Sequence, residues 1–158
     1  MPSFPRVINE KAARTVAAAV ALTGAIALAT GAHWLLIPLA YGFWARVLAG
    51  PRFSPLAQLA TKVVAPRLGP PRDVAGPPKR FAQGMGAAMT TLGVAAFAFG
   101  WTTATAVLLA LLVTAATLEA ALGLCIGCRI FALLMRAGLI PETVCVECAD
   151  VSARLQRA

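Results

Sequence analysis

The sequence predicts an all-α fold: an integral membrane four-helix bundle with both termini cytoplasmic, an interfacial helix in its central loop and a short C-terminal helix. Three observations lead there. Four long apolar runs, at roughly residues 13–32, 33–50, 81–100 and 102–124, approach or reach the roughly 20 residues that cross a bilayer core. All 14 Lys and Arg residues fall on one side once those runs are read as spans. The turns Thr30-Gly31-Ala32-His33 and Gly100-Trp101-Thr102-Thr103 carry no Lys or Arg, whereas the N-terminal tail, the central loop and the C-terminal part hold them all. The positive-inside rule then assigns the termini and the loop to the cytoplasm, and the chain to the inner (plasma) membrane as a multi-pass protein. Finally, a chain of 158 residues that is 59% hydrophobic, with a mean hydropathy of +0.79, is too apolar for a soluble domain.

The net charge of +8 is explained by this topology, because Lys and Arg beside spans meet anionic headgroups. Nucleic-acid binding is not expected, since the basic loop is rich in Pro and lacks interleaved aromatics. The first run is longer than a signal-peptide core and is followed at once by another apolar run, so it is expected to stay as a helix. It is mostly Ala, enters lipid weakly and relies on packing against neighbours. The second run places Trp34, Tyr41 and Trp44 near its ends, and Pro38 is expected to kink it. In the third, Gly84 lies above Ala88 and Gly86 above Thr90, a small-residue spacing that lets a neighbouring helix approach closely.

Prolines set the path of the central loop and forbid a long helix there. Between Pro55 and Pro66, Leu56, Leu59, Val63 and Val64 share one helical face, which predicts a short helix on the inner leaflet. Arg52, Lys62, Arg67 and Arg72 are the candidate lipid-phosphate contacts. Residues 1–136 thus make a four-span membrane domain and 137–158 a cytoplasmic tail. In the tail, Pro141 and Glu142 mark the start of a helix.

All four cysteines lie late in the chain, as Cys125-Ile126-Gly127-Cys128 and Cys145-Val146-Glu147-Cys148, giving C-x2-C-x16-C-x2-C. Two readings of this spacing stay open. In one, Cys125, Cys128, Cys145 and Cys148 hold a single zinc ion, with Gly127 supplying a turn and the tail folding back at Gly138 and Pro141 so that the four sulfurs converge. In the other, Cys125 and Cys128 are a redox dithiol, with Cys125 as nucleophile and Cys128 as resolving thiol. Arg129 would favour the Cys125 thiolate, and a helix restarting near Cys125 after a break at Gly123 would add exposed N–H groups. Inert apolar cysteines suit two matched pairs poorly.

Glu119 is the acid within a span, a costly placement that points to a function or a partner. On an unbroken helix it faces away from the thiols, so a hydrogen bond to a Thr or to Gln83 on another span is expected. The only histidine, His33, is on the opposite side from the cysteines, so no Cys/His or Ser/His pair is available. No phosphate-binding Gly-rich loop is present.

Four segments together resemble a family of small membrane proteins, frequent in actinobacteria and catalogued as a domain of unknown function. They are Gly50-Pro51-Arg52-Phe53-Ser54-Pro55, Pro66-Arg67-Leu68-Gly69-Pro70-Pro71, Phe81-Ala82-Gln83-Gly84 and Gly123-Leu124-Cys125-Ile126-Gly127-Cys128. The resemblance covers roughly residues 7–136. The family pattern is similar to Gly-Phe-Cys-x-Gly-Cys preceded by Asn, where this chain has Leu124 and, near the Asn, Glu119. Cys145 and Cys148 belong to an extension. The resemblance therefore implies that the first pair is the shared chemistry. Relatives encoded beside thioredoxin-like and rhodanese-like proteins imply thiol or sulfur chemistry with such a soluble partner. The alternative expectation is a non-catalytic accessory subunit of a larger membrane complex, with the four cysteines on zinc.

Overall fold

The computed structural model describes residues 5–145. Its architecture is all-α, with one small ladder added. A short strand β1 (Val7–Asn9) leads into α1 (Glu10–Thr30), a 3-10 turn (His33–Leu35) and α2 (Leu36–Ala49). The loop region contains α3 (Pro55–Leu59), a π-helical stretch (Ala60–Val64), α4 (Ala65–Arg67) and strand β2 (Asp73–Ala75). Then come α5 (Gly76–Ala98), α6 (Thr102–Leu122) and α7 (Ile126–Arg136), with a last 3-10 turn at Glu142–Val144. Strands β1 and β2 pair antiparallel, Val7 opposite Ala75 and Asn9 opposite Asp73, and so tie the start of α1 to the start of α5. Three-residue strands carry too little alternation to be read from a sequence.

Helices α1, α5 and α6 are long and apolar enough to cross a membrane, and only 33, 28 and 22% of their apolar windows is buried. The rest of each helix turns outward, with Leu22, Leu92 and Leu111 all more than half exposed. That distribution suits lipid as solvent. Between the helices, small residues set the distance. α1 packs on α6 and α2 on α5. A Cβ on Gly24 would lie 2.5 Å from Val113 Cγ2, and one on Gly86 would run into the Phe43 ring. Of the glycines in the third run, Gly86 thus serves close packing, while Gly84 faces open space.

Two expectations need correction. Pro38 does not kink a continuous helix: the chain passes from a 3-10 turn into α2 at Leu36, so Pro38 occupies the first helical turn, where a missing N–H costs little. α2 proper has 14 residues, and the stretch 33–49 reaches the lower spanning limit of about 17 residues only with that turn included. The third apolar helix begins at Gly76 rather than near residue 81, because Pro77 and Pro78 fit the first turn as they would not fit an interior. Lys79 and Arg80 therefore belong to α5, not to the loop.

The loop helix forms as the spacing predicts. Ser54 accepts the Ala57 N–H and Pro55 opens the helix. Its inward face, however, is Ala57, Ala60 and Ala65, all at most 5% exposed, while Leu59 and Val63 point outward. The apolar stripe seen in the sequence is therefore divided, with Leu56 packed on the core, Val64 half-buried, and Leu59 and Val63 outward. Basic residues close the same end of the bundle by donating to free helix carbonyls, the groups that lack intrahelical partners. Arg14 donates to Ala120 O and Ala121 O, Lys11 to Leu68 O, and Arg80 to Val47 O.

Replacing Gly86 by Val should lower stability by about 1–3 kcal/mol, through a side chain forced against Phe43. Gly84→Ala should match or exceed the parent, because open space meets its Cβ and Ala is the better helix former. Thermal unfolding in detergent compares the three.

Candidate functional site

The site is made where α6 stops. Gly123 takes the left-handed conformation, φ 67°, and its N–H bonds to Glu119 O while Leu124 N–H bonds to Leu118 O. The Gly123 bond is the αL closure of a helix end, which needs a residue without a Cβ penalty at that position. The chain then extends through Cys125 and enters α7. Cys125 is the N-cap of α7, and its sulfur accepts the Cys128 N–H at 3.3 Å. The S–H of Cys128 also points to it, with the two sulfurs 2.6 Å apart and both cysteines unbridged. Gly127 does not make a turn. It lies in the first turn of α7, where an added Cβ would fall 2.6 Å from Ala82 Cα, so its absence lets α7 lie on α5. Phe131 is buried against Phe81 with ring centroids 5.7 Å apart and holds the contact.

Beside the sulfurs, Lys79 on α5 forms an ion pair with Glu119 on α6. Both side chains are largely covered, at 8 and 15% exposure. Gln83 is thus not the partner of Glu119. It accepts from Arg46 Nε at 2.7 Å instead. Arg46, 6% exposed, also lies over the Phe43 ring at 4.5 Å and donates from Nη1 to Ser54 Oγ. The break at Gly123 is what turns the thiols back toward Glu119, as no unbroken helix could.

Electrostatics separate the two thiols. The hydrogen bond from Cys128 pulls Cys125 below the ordinary thiol range, helped by the Lys79 ammonium and the Cys128 N–H and opposed by burial and by Glu119. The same bond, together with burial, pushes Cys128 up. The two thiols are thus shifted in opposite directions, and the lowered one is Cys125. The cation acting on it is Lys79, while Arg129 stands exposed on the rim of an open cleft that both cysteines line. Cys125 also lines a second space on its other side, a cavity of about 90 Å³ inside the bundle shared with Arg46, Gln83 and Glu119.

Arg52, Lys62, Arg67 and Arg72 are all exposed at the loop end. Arg72 pairs with Glu10 at 3.1 Å and Lys62 donates to Gln58. Cys145 is fully buried and disulfide-bonded, and Cys148 lies outside the described residues, as does most of the helix expected after Pro141. Among the described residues, no three His, Cys, Asp or Glu side chains are grouped to hold a metal. Sequence reasoning missed Lys79 and Arg46 as site residues. The signal for Lys79 was Glu119 itself, because an acid in a span calls for a cation on a facing helix.

Alkylation by iodoacetamide should be confined to Cys125 and should rise with pH at a midpoint below that of an unperturbed thiol, about 8.5. Cys128→Ala removes the donated S–H and should move that midpoint up, whereas Cys128→Ser keeps a donor and should hold it down. Mass spectrometry of the labelled peptides reads both. Lys79→Met should destabilise the fold strongly, by about 3 kcal/mol, because it strands the Glu119 carboxylate. Adding Glu119→Gln should recover part of the loss in a denaturation series.

No curated protein and no solved structure matches the chain. The family described as a domain of unknown function (DUF4395) matches over residues 8–136. That span includes α1 to α7, the Lys79–Glu119 pair and the Cys125–Cys128 dithiol, and it stops short of Cys145. The chain belongs to the DUF4395 family.

Proposed function

We propose that this membrane protein exchanges disulfides, or passes sulfur, with a soluble partner through Cys125 and Cys128 at the cytoplasmic face of the plasma membrane. The single observation that supports it most is the position of Cys125. Its sulfur caps the N-terminus of α7 and accepts hydrogen bonds from both the N–H and the S–H of Cys128. A thiolate there is stabilised by the helix terminus and by a donor that is itself the second thiol.

In exchange, the Cys125 thiolate attacks one sulfur of a partner disulfide, a Cys125–partner bond forms, and the partner's other sulfur leaves as thiolate. Cys128 then loses its proton to that leaving thiolate and attacks Cys125 Sγ, and the partner sulfur bound to Cys125 leaves as a second thiolate, which takes up the proton that Cys125 had released to water on ionising. The products are a Cys125–Cys128 disulfide and a dithiol partner, so two electrons and two protons have moved to the partner. The reverse sequence oxidises the partner. In sulfur transfer, Cys125 instead takes the terminal sulfur of a partner persulfide and releases the partner thiolate. A thioredoxin-like or rhodanese-like protein suits either reaction. With α2 and its preceding turn read as a second span beside α1, α5 and α6, the positive-inside rule supports a cytoplasmic position for the dithiol and the basic loop.

The test is trapping in cells. Cys128→Ser should accumulate a mixed disulfide, released by dithiothreitol, and Cys125→Ser should accumulate none. Trapping through Cys128 instead would reverse the roles. Stoichiometric zinc in the purified protein, lost in Cys125→Ser, would replace exchange with a metal site. For topology, Gly69→Cys in a cysteine-free background should resist an impermeant maleimide on intact cells and react after permeabilisation. Labelling from outside would sink the cytoplasmic placement.

A further inference from the structure

The β1–β2 ladder leaves an edge of β2 open. At the two ends of the ladder Gly76 N–H donates to Arg6 O and Glu10 N–H to Arg72 O, so between them Ile8 and Val74 are the residues whose backbone groups face each other. In an antiparallel pair the residues on either side turn their N–H and C=O the opposite way. Asp73 N–H, Asp73 C=O and Ala75 N–H therefore point away from β1, and among the described residues none of the three has a hydrogen-bond partner. Ala75 C=O is taken, because Ala75 is the N-cap of α5 and its carbonyl accepts the first helical bond.

The open edge lies beside the thiols. Val7, Ile8 and Asn9 of β1 line a cavity on the bundle side, whereas Val74 and Ala75 of β2 line the open cleft, about 530 Å³ in volume. Across that cleft stand Cys125, Cys128 and Arg129 at the start of α7. Pro78, Leu122 and Leu124 add apolar walls without side-chain donors. Two charges at the cleft are already committed, Glu10 to Arg72 and Lys79 to Glu119. What the cleft offers is a short row of backbone donors and an acceptor at strand spacing, and the chemistry that complements such a row is extended main chain.

We infer that β2 takes a third strand: an extended segment of the soluble partner, flanking its reacting cysteine, pairs with Asp73 and Ala75 and so lays the partner's disulfide against Cys125. The inference rests on the thiol exchange proposed above and adds what the partner must present, a disulfide cysteine within an extended segment rather than on a helix. A helix has its own N–H and C=O groups bonded to each other and offers the edge nothing. Main-chain pairing also accepts partners of different sequence.

The probe is a short peptide of Thr and Val with one central cysteine, supplied as its disulfide-linked dimer to the full chain in an uncharged detergent. Mass spectrometry follows the appearance of the Cys125–Cys128 disulfide. An analogue N-methylated beside the cysteine lacks the strand donors, and 2-hydroxyethyl disulfide has no backbone at all. The parent should react with the peptide about tenfold faster than with the N-methylated analogue, the scale of one or two backbone hydrogen bonds. Ala75→Pro is the matched variant: Ala75 has φ −58°, the angle proline takes, and follows a strand residue, so the ring fits while the outward N–H is lost. Ala75→Pro should erase that difference, leave the rate with 2-hydroxyethyl disulfide unchanged and melt no lower than the parent. Ala75→Ser keeps the N–H and should behave as the parent does. Equal rates for the two peptides in the parent, a difference that survives in Ala75→Pro, or equal slowing of 2-hydroxyethyl disulfide would overturn the strand site. So would a lower thermal midpoint in Ala75→Pro, which would mean that the edge is bonded within the fold. If 2-hydroxyethyl disulfide fails to oxidise the dithiol, exchange itself falls, and saturation-transfer NMR of the peptide's serine form on Cys125→Ser/Cys128→Ser then decides the edge. Binding that Ala75→Pro abolishes would uphold it, and no binding would overturn it.

Discussion

The ion pair between Lys79 and Glu119 is the contact on which the loop end of the bundle depends. A carboxylate three residues from the end of an apolar helix and an ammonium three residues into its neighbour are each costly alone, and they are tolerable only together. Pairing them fixes the end of α6 against the start of α5. With those two ends registered, the turn at Gly123 can reverse the chain within a few residues and set α7 onto α5 through Gly127 and Ala82. The dithiol is a product of that reversal. Cys125 sits where the backbone has no helical bonds of its own to offer, and its sulfur takes the place of the missing acceptor for Cys128 N–H.

The fold class was legible because membrane spans announce themselves by length and apolarity, independently of partners. The runs that became α1, α5 and α6 needed no tertiary information. Helix starts and stops were legible only where local chemistry fixed them. Pro55 bounded the loop helix, and Gly123 marked the end of α6. Pro77 and Pro78 misled, because a proline that forbids a helix interior favours a first turn, and only the β1–β2 pairing shows which applies.

At the site, the meeting of Cys125 and Cys128 and the donors around the first thiol were legible in the motif, since a helix restarting after Gly123 exposes N–H groups there. What could not be read was which cation meets which acid. Lys79, Arg46 and Arg129 are equivalent as letters, and the difference among them is distance in the folded bundle. Gln83 was correctly drawn into the polar cluster but bonds Arg46, because α2 runs antiparallel along α5 with Phe43 at Gly86 and Leu36 at Gly93, which brings position 46 beside 83. Such a register is a long-range fact.

On the proposed topology Arg14, Lys11 and Arg80 would contribute to orientation by their charge, and each also donates to the carbonyls of a neighbouring helix end. The residues that bias insertion are thereby the residues that lock the inserted form. A charge redistribution large enough to favour the inverted orientation would strip hydrogen bonds from the ends of α2, α4 and α6 at once. The inverted protein would then be not a mirror-working copy but a frayed one, open to membrane proteolysis. On that topology, folding would oppose inversion alongside the charge bias itself.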